Sequence, residues 1–134
     1  VRNPDSVRPW QHVLDPLHGY LVLGAKMESD PVKYAQAYNF GPEPEERMTV
    51  KELVEAGIEA WGSGNFDVSA DPNKLHEANL LRLNIDKSKN ELNWTPKYNA
   101  KEAVQKTIVW YKASQAEEDI KTYTEQQITD FFND

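Results

Sequence analysis

"LLRLNIDKSKNELNWTPKYNAKEAVQKTIVWYK", residues 80–112, carries more structural punctuation than any other stretch of this 134-residue chain. Its opening, residues 80–86, alternates apolar and polar side chains as a strand with one buried face does. Asp86 is placed to cap a short helix through Leu92. Asn93 then stands where glycine usually ends a helix, because a short amide side chain tolerates the left-handed conformation. "NAKE" (99–102) is a capping box, an acceptor side chain followed three residues later by Glu, each answering an unpaired backbone N–H. Beyond it Ala103, Val104, Thr107, Ile108 and Tyr111 fall on one helical face.

The same signals extend outward. "TVKE" (49–52) is another capping box, and Val50, Leu53, Val54, Gly57, Ile58 and Trp61 line a helix that Gly62 and Gly64 end. Residues 7–13 read as a short extended segment. Leu14-Asp15-Pro16 opens a helix, with Pro16 suited to its first turn. Leu17, Tyr20, Leu21, Leu23 and Ala25 carry that helix until "SDP" (29–31) stops it. "AQAYNFGP" (35–42) reads as a short buried strand ending at Gly41-Pro42, and "FDVSAD" (66–71) as another. Thr124 and Gln127 start a last helix that ends at Phe131-Phe132. Helices dominate, three or four short strands are expected, and no run of βαβ units spans the chain. The expected fold is a mostly helical α/β lobe, a single part over 1–134.

Composition narrows the function. There are 22 acidic and 15 basic residues, a formal charge of −7, which disfavours general nucleic-acid binding because that needs a basic face. An anionic ligand must therefore be gripped locally. No apolar run reaches the ~18 residues of a membrane span, so no membrane partner is expected. The absence of cysteine excludes disulfides and thiolate metal sites and fits a cytoplasmic setting. The start, "VRNPDS", has neither Met nor a lead-in to a helix or strand, and reads as a cut piece of something longer.

Complete catalytic motifs are missing. No G-x-G-x-x-G or G-x-x-x-x-G-K-[ST] loop is present, and His12, His18 and His76 have no metal-ligand spacing. No Tyr is followed four residues on by Lys. Neither catalytic nor metal-binding residues are expected here. Binding chemistry remains. Arg8 can fork onto two oxygens of a diphosphate, which Lys cannot match, or be a surface arginine paired with Asp5 or Asp15. Trp10 reads as a packing anchor. Asn39, between aromatics at a strand end, can donate to a phosphate or ribose, or bridge backbone groups of the turn. His76 and Glu77 can bind sugar hydroxyls or be a solvated loop end. His18 reads as a helix-surface residue.

In order, "RPWQHV" (8–13), "YNFGP" (38–42) and "HEANLLRLNIDKSKNELNWTPKYNAKEAVQKTIVWYK" (76–112) resemble the carboxy-terminal half of sugar-nucleotide dehydratases of the extended short-chain dehydrogenase/reductase family. The last block is similar to that family's His-acid pair, "D-x-S-K", "L-G-W-x-P" and helix ending "W-Y". "RPWQHV" and the tail "DIKTYTEQQI" (119–128) resemble the CDP-hexose branch. The resemblance implies a Rossmann-type enzyme whose amino-terminal part binds NAD, with this chain as its substrate-binding lobe. It implies that Arg8 holds the nucleotide diphosphate, that Asn39 lies beside the phosphates, and that His76 and Glu77 belong to a loop closing over the nucleotide. Trp10 and Val13 would fasten the Arg8 segment to the helix behind it.

The implied reaction converts CDP-glucose to its 4-keto-6-deoxy product. C4 is oxidised by bound NAD, water leaves across C5 and C6, and the hydride returns to C6. The implied setting is a cytoplasmic homo-oligomer in deoxysugar and lipopolysaccharide O-antigen synthesis. An epimerase or reductase of another nucleotide sugar, or a non-enzymatic binding module, are the competing readings. Two positions depart from the family pattern: Pro9 replaces an Asp, and Asn93 replaces the Gly of "L-G-W".

Overall fold

Two capping boxes and one left-handed asparagine set the helix boundaries. In the computed structural model, which describes residues 1–69, 80–116 and 119–133, Thr49 Oγ1 accepts the Glu52 N–H at 3.1 Å and Glu52 Oε2 accepts the Thr49 N–H at 2.7 Å. The helix they start, α3 (Val50–Trp61), ends at Gly62, whose φ of 93° only glycine adopts freely. The same reciprocal pair between Asn99 and Glu102, both bonds 2.9 Å, starts α5 (Ala100–Gln115). Between them α4 (Asp86–Leu92) ends at Asn93 with φ 56° and ψ 37°, the left-handed conformation the sequence called for. Asp86 does not cap α4. It is the first helical residue, where its charge suits the helix dipole, and Asn84 Oδ1 accepts its N–H at 3.0 Å.

Upstream, α1 (Leu14–Ser29) stops at Asp30, which then caps α2 (Pro31–Tyr34) by accepting the Lys33 N–H at 3.0 Å. Pro31 occupies the first turn of α2, where its missing N–H costs nothing. The last helix, α6 (Ile120–Asn133), begins four residues before Thr124. Asp119 is the reason: its carboxylate accepts both the backbone N–H and the hydroxyl of Thr122.

The strands are the main correction. Among the described residues only β1 (Val7–Arg8) and β2 (Met48–Thr49) form a ladder, antiparallel with Val7 opposite Thr49. Residues 80–86 contribute one parallel bridge, Leu80 to Val7, and residues 35–42 form no strand. Of the expected strand at 66–71, residues 66–69 are irregular and the other two lie outside the described residues. The alternation in these segments reports burial rather than pairing. Phe40 and Ile85 enter the core, while the carbonyls of Ala37, Asn39 and Phe40 accept hydrogen bonds from the side chains of Lys87, Ser88 and Gln11. Side-chain donors thus satisfy carbonyls that a neighbouring strand would otherwise serve.

The core gathers Tyr34, Phe40, Ile85, Leu92 and Trp94. Phe40 sits edge-on between Trp94 and Tyr20, with centroids at 5.0 and 5.5 Å. A second packed region joins α3 to α5 and α5 to α6. There Trp110 Nε1 donates to Thr124 Oγ1 at 2.8 Å, and Gln127 Nε2 to the Lys106 carbonyl at 3.1 Å. No helix among the described residues is long and apolar enough to cross a membrane.

Candidate functional site

β1 is where three distant parts of the chain converge. Met48 and Thr49 pair along it, the Val50 N–H reaches the Ser6 carbonyl at 2.9 Å, and the Leu81 N–H reaches the Val7 carbonyl at 3.2 Å. Arg8 therefore stands on a short but well-anchored backbone. It opens onto a narrow cleft walled by Pro9, by Pro42 to Pro44 and by Leu81 to Leu83. One Arg8 nitrogen, Nη1, donates to the Val7 carbonyl at 3.0 Å.

Asn39 lies near the same wall but does not line the cleft. Its Nδ2 donates to the Asn84 carbonyl at 3.2 Å, and its own carbonyl accepts from the buried Ser88 hydroxyl. Gly41 makes the close approach possible, since a Cβ there would stand 2.9 Å from Leu83 Cδ1. The structure thus brings Arg8 beside the 42–44 and 81–83 segments, with the Asn39 amide spent on a backbone bridge. His76 and Glu77 lie outside the described residues.

Behind Arg8 the chain is held by groups the sequence did not single out. Trp10 is half-buried and its Nε1 donates to the Met48 carbonyl at 2.9 Å, a packing role as expected. Val13 is 60% exposed, not the buried anchor the resemblance implies. His12 does that work instead: it is buried, its Nδ1 accepts the Leu14 N–H at 3.3 Å, and its ring meets Tyr98 edge-on at 5.5 Å. Burial, with the Lys106 charge adding to it, holds the His12 imidazole below its ordinary pKa.

Asp15 is fully buried and accepts the Lys97 N–H at 2.7 Å, pinning α1 to the turn before α5. Burial raises its pKa, opposed by the Lys97 and Tyr98 N–H groups and the His18 and Lys97 charges. His18 is half-buried, edge-on to Phe131 and Phe132 at 5.8 and 5.7 Å. The expected surface position of His18 is thus partly covered by α6.

A larger cavity, about 510 Å³, opens between the start of α1, α5 and α6, lined by Gln11, His12, Trp110, Tyr111 and Ile128 among others. Among the described residues no Arg or Lys lines it, so they offer a diphosphate no fixed positive charge there. The Arg8 cleft is smaller and carries charge of both signs, Arg8 and Arg82 with Glu43 and Glu46. Its one signal missed in the sequence is Arg82, an arginine that interrupts the apolar run of "LLRL" and also lines the cleft.

No family model matches the chain. Along 133 residues, 99% of its length, it is 34% identical to CDP-glucose 4,6-dehydratase of Salmonella typhimurium, and the match covers 37% of that protein. A crystal structure of dTDP-glucose 4,6-dehydratase from Bacillus anthracis in complex with NAD aligns with a TM-score of 0.61 at 25% identity, over 87% of this chain and 34% of that one. Both relatives are nucleotide-sugar 4,6-dehydratases. The chain resembles them along nearly its whole length while spanning little more than a third of either. The mostly helical lobe read from the sequence agrees with that structural match.

Proposed function

We propose that this chain is the carboxy-terminal, substrate-holding part of a sugar-nucleotide 4,6-dehydratase whose substrate is CDP-glucose. The observation that carries the proposal is the 34% identity to the Salmonella CDP-glucose enzyme, sustained over 99% of the chain rather than confined to one motif. The Arg8 cleft supplies fitting chemistry. A guanidinium on an anchored strand can meet two phosphate oxygens at once, and binding energy gathered remotely from the sugar helps fix the reacting carbons in place. His76 and Glu77 are assigned to the nucleotide side of the site, and Asn39 to the phosphate side if its amide leaves the Asn84 carbonyl.

NAD does not fit the residues present. A phosphate-cradling glycine loop opens a helix. The closely spaced Gly62 and Gly64 instead follow the end of α3, Gly62 being its left-handed cap. In this proposal NAD is held by an amino-terminal part, and no step of the reaction is assigned to a residue described here. The complete enzyme is taken to be a cytoplasmic homo-oligomer supplying deoxysugars for lipopolysaccharide O-antigen.

The test is turnover by the full-length protein with CDP-glucose and dTDP-glucose in parallel, read as formation of a 4-keto-6-deoxy sugar. Conversion of CDP-glucose in preference to dTDP-glucose is expected. The opposite preference would move the assignment to another nucleotide, and turnover of neither would overturn it.

A further inference from the structure

The cavity of about 510 Å³ between the start of α1, α5 and α6 falls within the roughly 300–1,000 Å³ usual for small-molecule sites. His12 lines it with only 4% of the residue exposed, and its Nδ1 accepts the Leu14 N–H at 3.3 Å. With Nδ1 acting as an acceptor, the neutral imidazole carries its proton on Nε2. That N–H has no partner among the described residues, yet Nε2 is not sealed from solvent, so it opens onto the cavity that the ring lines. Polar groups buried this deeply are ordinarily paired, and an unmet donor here marks a place for a ligand's acceptor.

The rest of the lining narrows the chemistry of that ligand. Gln127 commits its amide N–H to the Lys106 carbonyl, which leaves its Oε1 as an acceptor. Thr124 Oγ1 is spent, accepting from Trp110 Nε1 and donating to the Ile120 carbonyl. The hydroxyls of Thr107 and Tyr111 are uncommitted, and both residues are exposed. A ligand that serves His12 and Gln127 together must both accept and donate, as hydroxyl groups do. Among the described residues no Asp, Glu, Lys or Arg lines the cavity, so a charged ligand would give up water there without a counter-charge. Leu14, Trp110, Tyr111 and Ile128 supply apolar walls that suit the carbon face of a ring.

We propose that this cavity is a separate ligand site for an uncharged sugar or cyclic polyol. His12 Nε2 donates to one hydroxyl oxygen of the ligand, Gln127 Oε1 accepts from another hydroxyl, and the ring carbons lie against Trp110 and Tyr111. None of these residues lines the Arg8 cleft, so the site stands whether or not that cleft holds a nucleotide.

The test is saturation-transfer NMR of methyl α-D-glucopyranoside titrated with the full-length protein, as wild type, His12→Phe and Ile128→Trp, with the melting temperature of each. The wild type should give a saturable signal. His12→Phe should weaken binding roughly two- to tenfold, the scale of one lost neutral hydrogen bond. Ile128 is 39% exposed, so Ile128→Trp can fill the mouth of the cavity without disturbing the core, and it should abolish the signal even if His12→Phe fails to fold. Wild-type affinity in Ile128→Trp, or in a folded His12→Phe, would overturn the proposal. Displacement of the glucoside by CDP would also overturn it, since the sugar would then occupy the nucleotide's site. No glucoside signal from the wild type would overturn it too, and an indole signal that Ile128→Trp removes would then make the cavity an apolar site instead.

Discussion

Gly19 lies where α1 meets Phe40, and a Cβ there would stand 2.3 Å from Phe40 Cδ1. Two opposed effects follow from Gly19→Ala. Alanine favours the helix by about 1 kcal/mol, but overpacking a filled core costs about 1–3 kcal/mol. Phe40 is held against Trp94 and has little room to yield, so the clash should win and the melting temperature should fall. Gly24, in the same helix, has nothing within 4 Å of its would-be Cβ, so Gly24→Ala should raise it. Shifts of the same sign would show that the Phe40 contact does not decide. Arg8 gives the functional counterpart. Arg8→Lys keeps the charge but loses the fork, and charge-assisted contacts are worth ~1.5–3 kcal/mol. CDP-glucose affinity in the full-length protein should therefore drop clearly with Lys and further with Ala, each measured alongside its melting temperature. Equal affinities in all three proteins would return Arg8 to an ordinary surface arginine.

At the scale of elements, the capping boxes carry the sharpest expectation. Thr49→Ala removes the acceptor for the Glu52 N–H and should cost ~1 kcal/mol by thermal or denaturant unfolding. The Thr49 N–H and hydroxyl also hold the Glu52 carboxylate below its ordinary pKa. A carboxylate with a depressed folded-state pKa adds stability above its unfolded pKa and loses it as the pH falls through the folded value. The gap between wild type and Thr49→Ala should therefore narrow in acid, modestly, because Glu52 is solvent-exposed and screened. A gap that widened in acid would mean the carboxylate is not part of the cap. Helix ends of this kind were legible because a cap is chemistry between residues three positions apart. The start of α6 was misplaced by four residues because Asp119, its capping acid, stands inside a polar stretch with no apolar periodicity to announce it.

For the molecule as a whole, the dehydratase reaction proposed above calls for a bound NAD. The isolated 134-residue chain should form no 4-keto-6-deoxy sugar from CDP-glucose and should bind NAD poorly, since it holds no glycine loop for the pyrophosphate. Product formation by the purified chain with NAD would refute this. The match covers 37% of the Salmonella enzyme and 34% of the Bacillus one.

The sequence by itself determined what depends on near neighbours. Both capping boxes, the left-handed Asn93, the stop at "SDP" and the helical weight of the fold are all local chemistry, and "RPWQHV" with "HEANLLRLNID" carried the resemblance to dehydratases. Tertiary structure decided whatever needs a partner far along the chain. An alternating segment becomes a strand only if another backbone lies alongside, and residues 35–42 and 80–86 bury their apolar side chains while side chains serve several of their carbonyls. The anchors behind Arg8 followed the same rule: Val13 turned outward, while His12 and Asp15, polar and unremarkable in sequence, became buried because Tyr98 and the Lys97 N–H arrive from more than 80 residues away. Arg82 reached the Arg8 cleft for the same reason, through a backbone bridge between residues 7 and 80 that no short-range pattern encodes.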